Sequence, residues 1–260
     1  MLKVRVIPTL LWKDPGLVKG IGFDSWRRVG TMMPAIKVYN MRQVDELVVL
    51  DVSATAERRI PDYESIEEFS AECFVPLTVG GGIRNLEMIR GLLRAGADKV
   101  AINTAAYENP GLLREAAEKF GSQCIVASID ARRNARGDHE CFSMCGSKAT
   151  GKEAGAWAQE VALLGAGEIL ITSIERDGTM QGYDLDLLKK VTEGVRIPVI
   201  ASGGAGNYQH MMDAIVLADC SAVAAASIFH FTQQTPMEAK KFLSANGIAV
   251  RNVNTRPGAS

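Results

Sequence analysis

The sequence has 260 residues, of which 47% are apolar and 23% charged, values typical of a globular protein with one well-buried core. Its formal net charge of -1 provides no field over the whole surface that would attract nucleic acid or an anionic membrane. These values predict one large domain and exclude nucleic-acid binding through bulk charge, but they leave room for a local anion site.

The first residues, MLKVRVIPTLLWKD, contain a short apolar run that Lys3, Arg5 and Lys13 interrupt. Such a run is unlike a secretory signal peptide. The sequence also has no stretch of about 18 uncharged apolar residues, which a membrane-spanning helix needs. We therefore expect a cytoplasmic protein without a membrane partner.

The cysteines are odd in number, form no C-x-x-C pair and have no clustered histidines beside them. This pattern favours reduced, packed thiols over a disulfide framework or a zinc site. We accordingly expect no metal and no cofactor. The cysteines are Cys73, Cys124, Cys141, Cys145 and Cys220.

Short β-branched runs alternate with longer segments of helical period along the whole chain. Predicted strands cover residues 4–11, 46–52, 76–79, 99–103, 124–130, 168–174, 198–202 and 222–227. Predicted helices between them cover residues 63–74, 85–96, 109–121 and 152–167. Strands that are apolar on both faces and return through helices indicate a parallel sheet. Eight such units favour an α/β fold of the (β/α)8 barrel type over an open sheet.

Two segments of the chain have closely similar sequences. VPLTVGGGIRN begins at Val75, and IPVIASGGAGN begins at Ile197. The same offset of 122 residues carries Glu46 onto Glu168 and links further strand and turn positions. This period is too long for a solenoid. The sequence therefore predicts a single barrel domain over residues 1–260, built from two half-barrels at about 1–121 and 122–245.

The segment 132–151, RRNARGDHECFSMCGSKATG, is polar and punctuated by glycine. It follows the fifth predicted strand, so we interpret it as a βα loop that forms a small hairpin over the site. Its charges are more typical of a solvated face than of a binding patch.

Glycine turns follow the third and seventh strands, at Gly80–Gly82 and at Gly203–Gly204. Backbone amides without side chains can approach an anion there, and the following helix adds a favourable dipole. The hydroxyls of Thr104 and Ser227 end the neighbouring strands and can donate to phosphate oxygens. Glycine turns also occur for structural reasons alone, but the paired hydroxyls favour two phosphate sites. A ligand with a phosphate at each end is therefore expected across the barrel mouth.

Three aspartates follow predicted strands and should face the same mouth: Asp51, Asp130 and Asp177. Each could instead pair with an arginine or cap a helix. A carboxylate between two anion sites is nevertheless well placed for proton transfer when its pKa is tuned.

Four charged residues begin strands and should lie at the opposite end of the barrel: Arg5, Glu46, Lys99 and Glu168. Buried charges need partners, so two positive and two negative groups favour a neutralising ring across the barrel floor. Ordinary surface pairing at strand starts is the alternative. A ring around a narrow opening could admit a small neutral molecule.

Aromatic and histidine side chains give weaker signals. Trp12, Trp26 and Trp157 are expected to pack in the core, as aromatic side chains commonly do. His210 and His230 have no neighbours in the sequence that would complete a metal or catalytic cluster.

The chain resembles the cyclase subunit of imidazole glycerol phosphate synthase over essentially its whole length. The motifs that carry the resemblance are DELVVLDVSA, LTVGGGI, GADKVAINTAA, FGSQCIVASIDARR, GAGEILITSIERDGTMQGYD, IASGGAG and AAASIFHF. The resemblance implies a (β/α)8 barrel that receives ammonia from a glutaminase subunit docked at the floor, forming a heterodimer. It also implies conversion of phosphoribulosyl-formimino aminoimidazole carboxamide ribotide, which carries two phosphates, into imidazole glycerol phosphate and aminoimidazole carboxamide ribotide.

By this resemblance Asp130 is expected to be catalytic, and Lys19 to be a loop lysine over the substrate. The four charged residues of the floor are expected to form an ammonia gate. The expected substrate and phosphate residues are Lys19, Asp51, Gly81, Gly82, Asn103, Thr104, Asp177, Gly178, Gly203, Gly204 and Ser227.

The first strand departs from the family pattern. Leu11 stands where the cyclase subunits have a second catalytic aspartate, and leucine cannot exchange a proton. Asp14 lies three residues further on and would need an altered backbone to take its place. The LLxKDxGLVK segment resembles instead a paralogous branch of surface-polysaccharide clusters, in which a similar barrel delivers ammonia for converting an acetamido sugar to an acetamidino sugar.

Two other functions stay open from the sequence. One is the related phosphoribosyl isomerase of the same pathway. It is less favoured, because the four charged residues of the floor would then have no ammonia to admit. The other is a subunit without catalysis that only binds and activates a glutaminase.

Overall fold

The computed structural model describes residues 3–13 and 16–251. Twelve β-strands lie within those ranges and are numbered in chain order. They are β1 (Arg5–Lys13), β2 (Gly16–Ile21), β3 (Asp24–Gly30), β4 (Leu47–Asp51), β5 (Leu77–Gly80), β6 (Lys99–Ile102), β7 (Ile125–Arg133), β8 (His139–Ser143), β9 (Lys148–Glu153), β10 (Glu168–Ser173), β11 (Val199–Ser202) and β12 (Ala222–Ala225).

Eight of these strands form a closed parallel barrel, in the order β1, β4, β5, β6, β7, β10, β11 and β12. The ring closes through β1, where Arg5 lies opposite Ala222 on β12 and Thr9 lies opposite Val48 on β4. Each barrel strand coincides with one of the eight predicted strands within a few residues. The predicted (β/α)8 barrel is confirmed.

Helices surround the barrel and return the chain from each strand to the next. They are α1 (Met32–Met41), α2 (Tyr63–Ala71), α3 (Leu86–Arg94), α4 (Thr104–Glu108), α5 (Gly111–Phe120), α6 (Ala154–Leu163), α7 (Leu185–Thr192), α8 (Tyr208–Val216), α9 (Ser227–Phe231) and α10 (Pro236–Ala245). The four predicted helices correspond to α2, α3, α5 and α6. Periodicity gave no indication of α4 and α9, because each has only five residues.

Equivalent asparagines of the sequence repeat begin α3 and α8. The Asn85 side chain accepts a hydrogen bond from Met88 N, and Asn207 accepts one from His210 N. Their φ angles are -157° and -155°, the extended conformation usual for a capping residue. Such a cap contributes about 1 kcal/mol, because it satisfies an amide that the helix leaves without a partner.

The core has two layers that follow from the alternation of side chains along each strand. On β1, Val6 and Leu10 face outward and pack beneath the helices, whereas Ile7 faces the barrel interior. Complete burial of such a side chain stabilises the fold by about 1.5–3 kcal/mol. The interior layer consists of Ile7, Val48, Ala101, Val126, Leu170, Ile200, Ala222 and Ala224.

Two antiparallel hairpins extend from barrel strands at the mouth end. Strands β2 and β3 continue from β1, and strands β8 and β9 continue from β7. The second hairpin covers most of the segment 132–151, so the predicted hairpin is confirmed. The first hairpin corrects one expectation, since Lys19 lies on strand β2 and not in a loop.

No helix in the described ranges is both long and apolar enough to cross a bilayer.

Candidate active site

A cavity opens where the barrel strands end, and it contains about 1130 Å³ of space including its open mouth. All the residues expected to bind substrate, together with Asp130, line it. They are Lys19, Asp51, Gly81, Gly82, Asn103, Thr104, Asp130, Asp177, Gly178, Gly203, Gly204 and Ser227. The fold thus brings residues from both halves of the chain to one cavity, whereas their individual roles stay predictions.

Asp130 lies near the end of β7 with only 9% of its surface exposed. Its Oδ2 accepts a hydrogen bond from Asn103 Nδ2 at 3.0 Å. Burial, and to a smaller extent the negative charge of Asp177, raises the pKa of Asp130 to about 7. A carboxyl group with a pKa near neutrality can both accept and release a proton under physiological conditions, which suits a general acid or base.

Asp177 follows β10 and is paired with Lys19 across the cavity. Lys19 Nζ donates to the two carboxylate oxygens at 2.9 and 2.7 Å, and only 2% of the lysine is exposed. Burial raises the pKa of Asp177 above its usual value, although the Lys19 charge opposes the shift. The pair fixes the β2–β3 hairpin at one side of the mouth.

Leu11 occupies the position on β1 that faces the cavity. It lies opposite Leu50 on β4, and only 8% of its surface is exposed. The inward positions of β1 are Ile7, Thr9 and Leu11, so this strand brings no carboxylate to the mouth. Asp14, considered from the sequence as a replacement, lies outside the described residues.

The Asp51 carboxylate accepts hydrogen bonds from the loop that follows it. Its Oδ1 accepts from the Ser53 and Ala54 amides at 2.9 Å each, and Arg59 Nη1 lies 3.2 Å from Oδ2. These bonds satisfy most of the acceptor capacity of the group. Asp51 therefore lines the cavity chiefly as the anchor of the segment after β4.

One glycine turn, with its neighbouring hydroxyl, forms what we call the Ser227 cradle: Gly203, Gly204 and Ser227. The glycines have φ angles of 86° and 116°, and a Cβ atom on Gly204 would lie 2.2 Å from Gly182 O. Only glycine fits there. Ser227 Oγ is buried and has no hydrogen-bond partner. An unsatisfied hydroxyl on the wall of a cavity is typical of a group that awaits a ligand.

The equivalent Thr104 cradle consists of Gly81, Gly82 and Thr104. Gly81 has a φ angle of 109°, and a Cβ atom there would lie 2.3 Å from Asp51 O. Two of its polar atoms have protein partners. Gly82 N donates to Thr55 Oγ1 at 3.2 Å, and Thr104 Oγ1 accepts from Met144 N at 3.0 Å.

At the opposite end of the barrel the four predicted floor residues form a complete ring of ion pairs. Arg5 contacts Glu46 at 2.7 Å and also Glu168, while Lys99 contacts Glu46 at 3.0 Å and Glu168 at 2.8 Å. Burial raises the pKa of Glu168, but the hydrogen bonds and charges of Arg5 and Lys99 outweigh it, so the net pKa is lowered. The ring, rather than ordinary surface pairing, is what these residues form.

Comparison with known protein families shows to which family the chain belongs. A family described as "Histidine biosynthesis protein" matches residues 5–235 of this chain.

The chain belongs to the histidine biosynthesis protein family.

Membership of this family agrees with the closed parallel barrel and with the resemblance in the glycine-turn motifs. The histidine biosynthesis match covers nearly all the barrel, from β1 to the residue before α10. It includes both hairpins and both cradles, so the mouth described above belongs to the family region of the chain.

One expectation about this family member was wrong. Trp12 and Trp157 are buried as predicted, but Trp26 on β3 is half-buried and lines the mouth cavity beside Phe23. Sequence reasoning missed both rings, because nothing in the pattern of residues 16–30 indicates a hairpin folded over the mouth. In the structure the hairpin turns at Gly22 and Phe23, which have φ angles of 60° and 65°.

No cluster of three or more histidine, cysteine, aspartate or glutamate side chains suited to a metal ion occurs among the described residues. His139, buried on β8, instead bonds through Nε2 to Asp184 at 3.0 Å, and Asp184 caps α7 by accepting from Leu187 N. The cluster fastens the β8–β9 hairpin to the barrel wall. Burial raises the pKa of Asp184, but the His139 hydrogen bond and other partners outweigh it and lower that pKa to about 2.

Proposed function

We propose that this protein is the barrel subunit of an ammonia-using synthase, which adds ammonia to a phosphorylated small molecule held at the mouth. The observation that carries the proposal is the closed ring of ion pairs at the floor, at the other end of the barrel from Asp130. A ring of buried charges serves stability poorly compared with apolar packing, so its presence favours a role in admitting something to the interior.

The barrel interior suits the passage of a small neutral molecule. Above the floor ring the wall is apolar, with small side chains at Ala101, Ala222 and Ala224. Ammonium would lose its hydration there, whereas neutral ammonia would not meet the same barrier. All four ion pairs of the ring are formed, and we propose that admission requires one of them to break. Arg5 and Lys99, with side chains 15% and 18% exposed, are the most accessible members.

A partner at the floor would deliver the ammonia, and we propose a glutaminase subunit in this place. Exposed apolar side chains lie at or just beyond the ends of four helices that return the chain to the floor, where a partner subunit could cover them. Their side chains are from 52% to 87% exposed. They are Met41, Phe74, Leu163, Val216 and Leu217.

At the mouth, Asp130 would exchange protons with the substrate while the cradles hold its phosphate groups. The resemblance to the cyclase subunit implies imidazole glycerol phosphate and aminoimidazole carboxamide ribotide as products. Lys19 would contribute a positive charge close to the reacting atoms, as part of the pair with Asp177. We also propose a cytoplasmic location, because the five described cysteines are free thiols.

The leucine at position 11 favours a second candidate function. A leucine at the cavity wall removes one of the two carboxylates on which the cyclase reaction depends, and losing such a group typically lowers the rate by about 10²–10⁴-fold. The second candidate is the paralogous role of delivering ammonia for the formation of an acetamidino sugar. A subunit that only activates its glutaminase is the third.

Purified protein incubated with the bisphosphate substrate and an ammonium salt tests the first candidate. Turnover that Asp130→Asn abolishes supports the cyclase. The matched floor variant Glu168→Gln should leave this activity unchanged, because free ammonia enters from the mouth, but it should alter turnover with glutamine and the partner. Absence of turnover with ammonium salt would exclude the cyclase and leave the other two candidates.

A further inference from the structure

A second cavity, which we call the outer cavity, adjoins the mouth at the Thr104 cradle. It contains about 940 Å³ of space including its opening. Thr55, Gly82, Ile83 and Thr104 line both cavities, so the two meet where the cradle would hold a phosphate group. The remaining walls of the outer cavity are Arg58, Arg84, Ala105, Glu108 and Met144.

The two arginines of the outer cavity have no partner in the described part of the chain. Arg58 and Arg84 are exposed, and their side chains form no ion pair or hydrogen bond with a described residue. Arg59 and Arg90, in the same two segments, each pair with a nearby carboxylate, at 3.2 and 2.8 Å. Glu108 lines the outer cavity but bonds to neither arginine. Unpaired guanidinium groups beside a cavity are well suited to bind an anion.

The Thr104 hydroxyl can donate to a ligand where the two cavities meet. It accepts a hydrogen bond from Met144 N at 3.0 Å, which leaves its own hydrogen free for another acceptor. Asn103 Oδ1 lies 3.4 Å from this hydroxyl. That separation is longer than the usual O–H···O distance of about 2.5–3.0 Å. A phosphate oxygen in the cradle would therefore replace a weak contact with a strong one.

The equivalent positions in the second half of the chain are uncharged. The 122-residue offset of the repeat carries Arg58 onto Met180 and Arg84 onto Gly206. Arg58 and Met180 both have a left-handed backbone, with φ angles of 53° and 58°, so the two loops turn alike at this point. A Cβ atom on Gly206 would lie 2.0 Å from Met180 O, which leaves no room there for a side chain. The pair of arginines thus belongs to the Thr104 cradle and does not follow from the symmetry of the barrel.

We propose that Arg58 and Arg84 bind the phosphate group held in the Thr104 cradle, which they reach through the outer cavity, and that they make this cradle specific for a phosphate dianion. This deepens the proposed function, on which it rests for a ligand with a phosphate at each end, by naming binding residues that neither the repeat nor the resemblance indicated. A guanidinium group has several N–H donors in one plane, which match two phosphate oxygens at once. The two cradles therefore hold their phosphates through different groups.

Titration with inorganic phosphate, followed by NMR of backbone amides, tests the proposal without any need for turnover. The Gly82 amide reports binding in the Thr104 cradle, and the Gly204 amide reports binding in the Ser227 cradle. Arg58→Met and Arg84→Gln should each weaken the binding reported at Gly82 at least fivefold. Neither variant should change the affinity reported at Gly204 more than twofold, and that binding also shows that the variant is folded.

Arg90→Gln is the matched control, because it removes the same charge from α3 at a residue that does not line the outer cavity. It should change either affinity less than twofold. Equal affinities at Gly82 in the unaltered protein and in the two cavity variants would overturn the proposal, and so would equal losses at Gly82 and Gly204. Phosphate that shifts neither amide in the unaltered protein would overturn it together with the two-phosphate chemistry of the proposed function. A failure of the ammonia reaction alone would leave the binding result intact.

Discussion

Lys19 and Asp177 join two parts of the chain that are 158 residues apart, through contacts of 2.9 and 2.7 Å between the ammonium and the two carboxylate oxygens. The pair fastens the β2–β3 hairpin to the loop after β10. It also places a negative charge near Asp130, which helps to raise the pKa of that carboxyl group. One ion pair therefore serves both the shape of the mouth and its acid-base properties.

Lys19→Met should destabilise the protein by about 3 kcal/mol, because it leaves the buried Asp177 carboxylate without its partner. Urea unfolding measures the loss, and limited proteolysis within residues 16–30 should become faster as the hairpin is released. Lys37→Met is the matched control, since Lys37 and its partner Glu72 have side chains 53% and 42% exposed. The double variant Lys19→Met with Asp177→Asn should recover much of the stability, and a double variant no better than the single one would contradict this account.

Asp130 should titrate with a midpoint near 7, measured by NMR on its side-chain carboxyl carbon in the protein without substrate. If it acts as a base, kcat/KM should rise with pH through the same midpoint, since kcat/KM reports the free enzyme and the ionised form accepts the proton. Asp177→Asn should lower the midpoint because it removes the neighbouring negative charge. A midpoint that Asp177→Asn leaves unchanged would show that burial alone causes the shift.

The raised pKa of Asp130 also predicts an effect on stability. Folding raises this carboxyl pKa from 3.8 to about 7, so the native state retains a proton that the unfolded chain releases. The stabilising contribution is fully present below 3.8 and is lost as the pH rises through about 7. Asp130→Asn should therefore stabilise the protein above neutral pH, by up to about 4 kcal/mol, since the difference between 3.8 and about 7 is worth roughly 1.4 kcal/mol per pKa unit. Equal free energies of unfolding for the unaltered protein and for Asp130→Asn at alkaline pH would refute the raised pKa of Asp130.

The contribution of Glu168 to stability should depend on pH in the opposite sense to that of Asp130. Folding lowers its pKa below the usual 4.5, so its contribution is fully present above that value and is lost as the pH falls through the lower folded pKa. Glu168→Gln should thus cost about 3 kcal/mol at neutral pH and much less in acid, as measured by urea unfolding. Glu160→Gln is the control, because its pair with Lys152 is exposed and should matter little at either pH.

Leu11→Asp should raise cyclase turnover if the rest of the mouth suits that reaction, because it restores a second proton-exchanging group on β1. The assay is product formation with the bisphosphate substrate and ammonium salt. Leu11→Asn, of the same size but without the acid-base function, should give no gain. An unchanged rate for Leu11→Asp would indicate that the site has diverged further than this one position.

Much of the fold could be predicted because its signals are local. Eight apolar β-branched runs, each followed by a helical segment, define the barrel, since alternation and period depend only on neighbouring residues. The repeat added the pairing of Gly81 with Gly203 and of Thr104 with Ser227. Strand ends of a parallel barrel meet at one edge, so the residues of the mouth and of the floor could be assigned to opposite ends before their distances were known.

The sequence by itself determined the barrel and the content of its two ends, because these follow from periodicity and spacing, whereas the resemblance to the cyclase subunits identified Leu11 as standing in place of an aspartate. Only the tertiary structure decided that Asp51 is occupied by its own loop, that Trp26 faces the cavity and that Met144 lies on Thr104. Those outcomes depend on how two hairpins fold back over the mouth. Contacts between distant segments are set by packing and by φ angles at single turns, which no local pattern in the sequence encodes.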